Sequence, residues 1–537
     1  MDLDKLTVAD FFCGAGGFSE GFRQKGFDVV FALDFWQPAI ITHDRNHPSC
    51  KAIKMDILEL DTPEKMDHFV PDVDVIIGSP PCVSFSGSNK AGKADKSLGI
   101  QLMEAYLRII AWKMKKGRLK YWILENVPNA GKFIKDRYTW EELELPGKGP
   151  DLEIKQRGIL NSADYGAPQI RRRFFCGQFP LPEYSIANSK NYLTFNDVLN
   201  LLTNPLDGIN KYEIKDPNYD LILDSSLVSD HFYDTRVADF EWKKARRLKE
   251  DHGFMGIMSF PENTNKPSRT VMATRSASTR ESMILEAIKN NEKIGYRLPT
   301  IREIASLMSF PITYQFEVIG ESTKYTLVGN AVCPKLSAAL AKAILINEGI
   351  SIPKVHFPIR KIKYDLTGSK RKIKQPSNKR FDSKFATHIP YMKIRSFRVD
   401  LTNIKSNFKE KKIKWSCIVH QGSGKNATKC NASDCNIEEL VKKIPNINEF
   451  KNDVKKAFGS IQISHLQLHN SYIYVRSESL SPDKVLEIIR DLIEKHYKNN
   501  DSLISNEKRF IKIERDLVPL KIAVGLYACD FFVKQLI

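Results

Sequence analysis

Short apolar runs, each closed by a glycine, proline or acidic residue, recur through the first 125 positions of the chain. Leu6-Thr7-Val8-Ala9-Asp10-Phe11-Phe12, Asp28–Leu33, Ala52–Lys54, Val73-Asp74-Val75-Ile76-Ile77 and Leu119–Leu124 each read as a buried strand. Helical spacing follows the first run, from Phe18 to Lys25, and returns at Ser337–Asn347. Strand, turn, helix, strand is the pattern of an open α/β sheet. In such a sheet ligands bind where the strands end. Later in the chain Ser471-Tyr472-Ile473-Tyr474-Val475 alternates like a strand, and Pro482–Tyr497 places Val485, Ile488, Ile489, Leu492 and Ile493 on one helical face. Residues 178–296 show no sustained apolar period.

The strand ends carry the chemistry. Cys13-Gly14-Ala15-Gly16-Gly17 follows the first strand and opens a helix, so backbone N–H groups are available to a ligand at close range. The second strand ends at Asp34, twenty residues after Gly14, where a carboxylate suits a ribose diol; Phe35 beside it suits an adenine ring. The third ends at Asp56-Ile57. The loop lacks the six-position dinucleotide spacing, which argues against a pyrophosphate ligand. The fourth strand ends in Gly78-Ser79-Pro80-Pro81-Cys82-Val83-Ser84-Phe85-Ser86, which holds a thiol on a proline-stiffened loop; a small buried core cysteine fits the same residue. The fifth ends in Glu125-Asn126-Val127-Pro128, where Glu125 is either an exposed loop residue or a desolvated acid sharing the cleft with Cys82.

Three of these segments, Asp10–Gly17, Pro80-Pro81-Cys82 and Glu125-Asn126-Val127, resemble in order the cofactor, nucleophile and acid motifs of the DNA cytosine-5 methyltransferases. Asp164-Tyr165-Gly166-Ala167-Pro168-Gln169-Ile170-Arg171-Arg172-Arg173 looks like the family's Gln-x-Arg-x-Arg segment. Thr300, Arg302, Glu303, Phe310 and Pro311 look like the segment that closes the recognition region, and Gly329-Asn330-Ala331-Val332 like the last cofactor motif. The resemblance runs over about residues 6–347. It departs at Val83, where the family most often has glutamine, and at Asp34, where a longer glutamate is common.

The resemblance implies an S-adenosylmethionine-dependent Rossmann-like sheet with a smaller target-recognition region; beyond its reach, the mixed strand-like and helix-like pattern of the C-terminal part predicts an additional α+β domain. It implies methyl transfer to C5 of a flipped-out cytosine in double-stranded DNA, in a restriction-modification setting. Cys82 is expected to add to C6, Glu125 to hold N3 and the exocyclic amine, and Arg171 and Arg173 to hold the base carbonyl and a phosphate. Asp10, Phe11, Gly14, Gly16, Asp34, Phe35, Asp56, Ile57, Pro80, Asn330 and Val332 are expected to line the cofactor pocket, with no metal. The Ser, Gly and Lys-rich loop from Ser84 to Gly99 reads as a lid.

Charge divides the chain. Residues 1–350 hold 45 Lys and Arg against 45 Asp and Glu, and residues 351–537 hold 37 against 19. A polyanion partner fits the second part, as does a lysine-rich solvated surface. The expected organisation is a catalytic and cofactor-binding part (1–177), a target-recognition region (178–296), a closing catalytic segment (297–350), a basic linker (351–382) and a basic C-terminal domain (383–537). Pro267–Arg275 is the recognition segment expected nearest DNA, and Lys243, Lys244, Arg246 and Arg247 add local positive charge. Cys417, His420, Cys430 and Cys435 have loose zinc-ligand spacing that ordinary buried or surface thiols explain better, and Gly422-Ser423-Gly424-Lys425 reads as a hairpin turn. Nine cysteines do not read as a disulfide framework. No apolar run of membrane length and no secretory start is seen, so the expectation is a soluble, cytoplasmic, nucleoid-associated monomer, with a cognate endonuclease encoded separately. The same chemistry on tRNA, a DNA-binding protein without catalysis, and a nuclease fused in residues 383–537 are the competing readings.

Overall fold

The computed structural model describes residues 5–81, 85, 95–186, 188–209, 212–251, 257–370, 373–422, 427–475 and 477–537. Cys82, Val83 and most of the expected lid lie outside the described residues. The chain forms two compact units, one from Met1–Arg236, Pro261–Ser276 and Met283–Lys372, the other from Val237–Phe260, Ala277–Ser282 and Ile373–Ile537. The segment 178–296 is therefore shared between two units instead of forming one piece.

The first unit is built on the expected strands: β1 (Thr7–Phe11), β2 (Asp28–Asp34), β3 (Lys51–Lys54), β4 (Val75–Gly78) and β5 (Tyr121–Asn126). Between them run the helices α1 (Gly17–Arg23), α2 (Gln37–Asn46), α3 (Pro63–Phe69) and α4 (Ser97–Lys115). A small ladder of β6 (Arg137–Tyr138) and β7 (Leu152–Glu153) precedes β8 (Gln156–Asn161) and β9 (Arg172–Gln178). The sheet order is β3-β2-β1-β4-β5-β9-β8; β1 to β5 are parallel, and β9 runs antiparallel to both β5 and β8. Alternation sends Val8, Ala32, Val75 and Ile77 into one core and Ala9, Phe31, Ile76 and Leu124 into another, so the strands are buried on both faces. That is why they read as near-continuous apolar runs.

The remaining elements of this unit are α5 (Phe195–Leu202), the pair β10 (Glu213–Lys215) and β11 (Ile222–Asp224), the hairpin β12 (Leu285–Lys289) and β13 (Glu292–Arg297), and the helices α7 (Ile301–Leu307), α8 (Glu321–Asn330) and α9 (Pro334–Asn347). The stretch Glu321–Asn347 is long and apolar enough to cross a membrane, but its apolar window is 67% buried, as expected of core helices. Residues 351–370, expected as a linker, instead lie along this unit. Arg360 donates to the Asn46 carbonyl at 2.8 Å, Phe357 meets Tyr219 at 4.7 Å, and buried Asp230 accepts from Leu366 N–H and from Lys324 Nζ at 2.7 Å. These contacts join positions far apart in sequence, so composition alone gave no sign of them.

The second unit holds α6 (Asp239–Glu250) and a four-stranded antiparallel sheet of β14 (Ala386–His388), β15 (Phe397–Thr402), β16 (Ser416–Gln421) and β17 (Thr428–Asn431), in that order. Helices α10 (Ile437–Val441), α11 (Ile447–Phe458), α12 (His465–Ile473), α13 (Pro482–Tyr497) and α14 (Leu520–Gln535), with the pair β18 (Leu503–Ser505) and β19 (Leu517–Pro519), complete it. The expected helix at Pro482–Tyr497 is present. The expected strand at 471–475 is not: these residues end α12, which Ser464 and Gln467 start with a capping box. Residues 423–426 of the expected hairpin turn lie outside the described residues, and the strands on either side pair antiparallel. Cys417 is bonded to Cys529 in a disulfide, and His420 is paired with Asp400 at 3.0 Å, so these two residues of the loose zinc-ligand spacing are engaged elsewhere. Among the described residues no cluster of three or more metal-ligating side chains is found.

Helix α1 lies against α9 at glycine distance. A Cβ on Gly21 falls 2.3 Å from Ser337 Cβ, and one on Gly17 falls 2.2 Å from the Val332 carbonyl oxygen. Gly21→Ala is therefore expected to force the two helices apart and cost about 1–3 kcal/mol, read as a lowered melting temperature in calorimetry.

Candidate active site

The register of the parallel strands brings their ends to one line. Phe11 is opposite Leu33 and Gly78, and Gly78 is opposite Leu124. Phe12 and Ser79-Pro80, just past β1 and β4, therefore lie beside the last residues of β2 and β5, Asp34 and Glu125-Asn126, with Phe35 following Asp34. Asp34 joins two of these loops: its Oδ2 accepts Gly14 N–H at 2.9 Å and its Oδ1 accepts Trp36 N–H at 2.8 Å. Each oxygen keeps a lone pair for a diol. Burial raises the Asp34 carboxyl, and the two N–H donors oppose that rise. Phe35 is 69% exposed, with its ring available for stacking. Gly14 and Gly16 have φ of 53° and 84°, and a Cβ on Gly16 would sit 2.6 Å from the Tyr314 hydroxyl. Asp56, at the end of β3, caps the following turn by accepting Leu58 N–H at 3.0 Å, and Ile57 is buried.

Phe11 is a correction. It is fully buried, with its ring 5.7 Å from Phe31 and 5.9 Å from Tyr106, so it cannot face a ligand. Phe12, the residue after β1, is half-buried against the same core, with a left-handed φ of 55° that is uncommon for an aromatic residue.

Behind the glycine loop lies a buried polar chain. Ser19 Oγ donates to Asp10 Oδ2 at 2.6 Å and sits 3.0 Å from His43 Nε2. The His43 ring packs 4.6 Å from that of His47, whose Nε2 is 3.3 Å from the Tyr314 hydroxyl, and that hydroxyl donates to the Ala15 carbonyl. Burial pushes Asp10 up to about 7 against the Ser19 bond, and pushes His43 well below its ordinary value. The chain therefore supports the loop without contributing a full charge.

The second half of the site lies at β4 and β5. Ser79 N–H donates to the Phe11 carbonyl at 3.2 Å, and Asn126 Nδ2 donates to the Pro80 carbonyl at 3.1 Å. Glu125 is buried, with Arg173 Nε 3.2 Å from its Oε1. Burial raises the Glu125 carboxyl; Arg173 and then Arg171 pull it back. Arg171 is also a correction. Its guanidinium donates to the carbonyls of Val271, Gly329 and Ala331, so it braces the backbone, whereas Arg173 stands beside Glu125. Gln169 Oε1 accepts Val271 N–H at 3.0 Å, which lays the expected recognition segment along the Gln-x-Arg-x-Arg segment. Asn330 is exposed at the end of α8, and Val332 is buried with its carbonyl against Gly17. Thr300 and Glu303 form a capping box on α7, and Arg302 is buried on the carbonyls of Ser229, Pro311 and Tyr314.

Residues 6–346 match the family model of the C-5 cytosine-specific DNA methylases. The chain belongs to this family. The type II methyltransferase M.MthTI of Methanothermobacter thermautotrophicus is 28% identical over 366 residues, spanning 63% of this chain and 97% of that protein. M.NgoPII of Neisseria gonorrhoeae is 25% identical over 357 residues, with 63% and 95% covered, and M1.HphI of Haemophilus parahaemolyticus 29% over 362, with 63% and 87% covered. The protein is a DNA cytosine-5 methyltransferase, and its cofactor is S-adenosylmethionine. The family match stops before the C-terminal part, so residues 347–537 are an addition to the methylase core. Within that core, sequence reasoning passed over Ser19, His43 and Tyr314, whose contacts span up to 299 positions and leave no local pattern. Asn126 stood in a quoted segment, but its bond to Pro80 appears only once the strands are in register.

The Asp10 network has a consequence for pH. The folded protein holds a proton on Asp10 up to about pH 7, whereas the unfolded chain releases it near the ordinary aspartate value of 3.8. The stability linked to Asp10 is complete below the unfolded value and is lost as pH rises through the folded one. Asp10→Asn is expected to flatten this part of the stability curve. Its melting temperature relative to the parent protein should improve from about pH 4 to about pH 8, measured by calorimetry across that range.

Proposed function

We propose that this methylase acts on one short sequence in double-stranded DNA, on a cytosine rotated out of the helix, through a covalent bond between Cys82 and C6. The observation that carries the reading is the Asn126–Pro80 bond beside the Glu125–Arg173 pair. It ties the loop that leads into Cys82 to the strand end that holds the acid. Bound S-adenosylmethionine supplies the electrophilic methyl group that C5 accepts. Asp34 holds its ribose hydroxyls, Phe35 its adenine, and Gly14, Gly16, Asp56, Ile57, Pro80, Asn330 and Val332 shape the pocket, with Asp10 as support.

The roles follow from chemistry. C5 of cytosine is a poor nucleophile until a thiolate adds at C6 and leaves the ring electron-rich at C5; after C5 has taken the methyl group, loss of the C5 proton and elimination of the thiol break the C6–S bond and restore the ring. Glu125, raised by burial, can carry the proton that holds N3 and can accept from the exocyclic amine. Arg173 offers N–H donors toward the base carbonyl or a phosphate while orienting Glu125. Extrusion of the base costs a few kcal/mol of stacking and pairing. The segment around Pro267–Arg275 reads neighbouring bases, and the relatives' type II names support a modification role beside a separately encoded endonuclease. The enzyme acts as a cytoplasmic monomer in this reading.

Expression in a bacterium free of 5-methylcytosine, followed by base-resolution mapping, is expected to reveal marks confined to one short motif. No marks from a folded, cofactor-binding protein would overturn the reading. Cys82→Ser is expected to abolish transfer and retain DNA binding; Glu125→Gln should lower kcat about 10²–10³-fold with cofactor affinity unchanged, both measured by tritium transfer and DNA titration.

A further inference from the structure

The methylase core is electrically neutral, yet its substrate is a polyanion. The formal excess of +18 lies entirely in residues 351–537. Within the second unit, Lys442, Lys451, Lys484 and Lys495 on the helical side are partnered with Glu439, Glu438, Glu487 and Asp453, while other helical lysines such as Lys443, Lys455 and Lys456 are spread along the helices. The connection between β15 and β16 gathers its lysines within ten residues. It folds as a hairpin closed by Asn407 N–H to the Lys412 carbonyl at 2.9 Å and Lys412 N–H to the Asn407 carbonyl at 3.0 Å. Lys414 N–H donates to Ser406 Oγ at 2.9 Å. Lys405, Lys409, Lys411 and Lys414 are exposed on this hairpin, and none is ion-paired among the described residues; the single acid, Glu410, is engaged by Lys412.

The neighbouring loop extends the charge. Lys405 Nζ donates to Asn431 Oδ1 at 2.8 Å, fastening the base of the hairpin to the end of β17. Asp434 lies at the same place, held below the usual carboxylate range first by the Asn431 amide and further by Lys512 and Lys405. Lys512 is exposed and likewise without an ion pair among the described residues. Five lysines without an ion pair among the described residues thus belong to the hairpin and the loop beside it, with Asp434 the one acid shown to feel two of them and Asn and Ser side chains at the base of the hairpin.

We propose that the hairpin and loop form a rim that is a second DNA contact, one that binds backbone phosphates of the duplex without reading sequence. The proposal rests on DNA being the substrate. Phosphate contacts by lysine release counterions and give affinity with a salt slope of about 0.9 per phosphate. A neutral core that must hold DNA while it extrudes a base gains from such an anchor, because the anchor's contacts do not change as the base leaves the stack.

The test uses the full chain with Lys405, Lys409, Lys411, Lys414 and Lys512 all changed to Gln. Its control changes Lys443, Lys455, Lys456, Lys484 and Lys498, five exposed lysines of the helical side, to Gln. Binding to a non-specific duplex of about 30 base pairs is measured by anisotropy across salt concentrations, without turnover. The rim variant is expected to lose at least two from the salt slope and ten-fold in affinity near physiological salt. Its cofactor affinity and its kcat at saturating DNA should be kept. An unchanged slope and affinity, or an equal loss in the control, would overturn the proposal. A parent protein that fails to methylate DNA, while the rim variant still loses duplex affinity, would overturn the methylation reading and leave the rim standing.

Discussion

The hydrogen bond from Asn126 to the Pro80 carbonyl is the constraint on which the candidate site depends. Strand register alone sets β4 and β5 beside one another, but a loop leaving a strand is free to turn away. The Asn126 amide removes that freedom at the last residue of β5, and the Ser79 N–H bond to Phe11 does so on the other side. The proline pair then stiffens the chain before Cys82. Three adjacent strand ends thus act as one edge. That edge is reliable only because both faces of the sheet are packed: a slip of one residue would exchange the two cores.

Burial does electrostatic as well as packing work here. Asp10, Asp34 and Glu125 all lie at strand ends, and burial raises all three. What differs is the opposing partner. Asp10 has a hydroxyl, Asp34 has two backbone N–H groups, and Glu125 has the Arg173 guanidinium. A hydroxyl bond leaves Asp10 near neutrality, where it behaves as a support. Backbone donors leave Asp34 with acceptor capacity directed outward. Three carboxylates of one chemistry therefore take different duties from their surroundings.

The strands were legible in the sequence because β-branched runs closed by Gly, Pro or Asp have few other stable uses. Helix α13 was legible because its apolar face repeats over four turns. The segment 471–475 misled because Tyr472 and Tyr474 alternate like a strand over a span too short to arbitrate, while the capping box that decides the matter starts at Ser464. The Cys417–Cys529 bond joins residues 112 positions apart, and residues 351–370 are held by contacts to the distant Asn46 carbonyl, Tyr219 ring and Asp230 carboxylate. Neither leaves a local trace. At the site, residue types were legible and directions were not: Phe11 points into the core and Arg171 onto backbone carbonyls, whereas Arg173 stands beside Glu125.

The balance at Glu125 is the least settled quantity in the folded site, in a physical sense. Burial raises its carboxyl and Arg173 lowers it, so its proton occupancy is set by how much water reaches the pair. In the proposed complex, a duplex over the edge would remove water and strengthen both effects at once, the burial penalty on the carboxylate and its attraction to the Arg173 guanidinium 3.2 Å away. A base beside Glu125 would add a third, because its N3 favours a protonated acid and its exocyclic amine favours an acceptor. The first two oppose one another, so in that reading it is the base that tips the acid: a proton shared with N3 offsets the burial of the carboxyl in a way that the Arg173 pair does not.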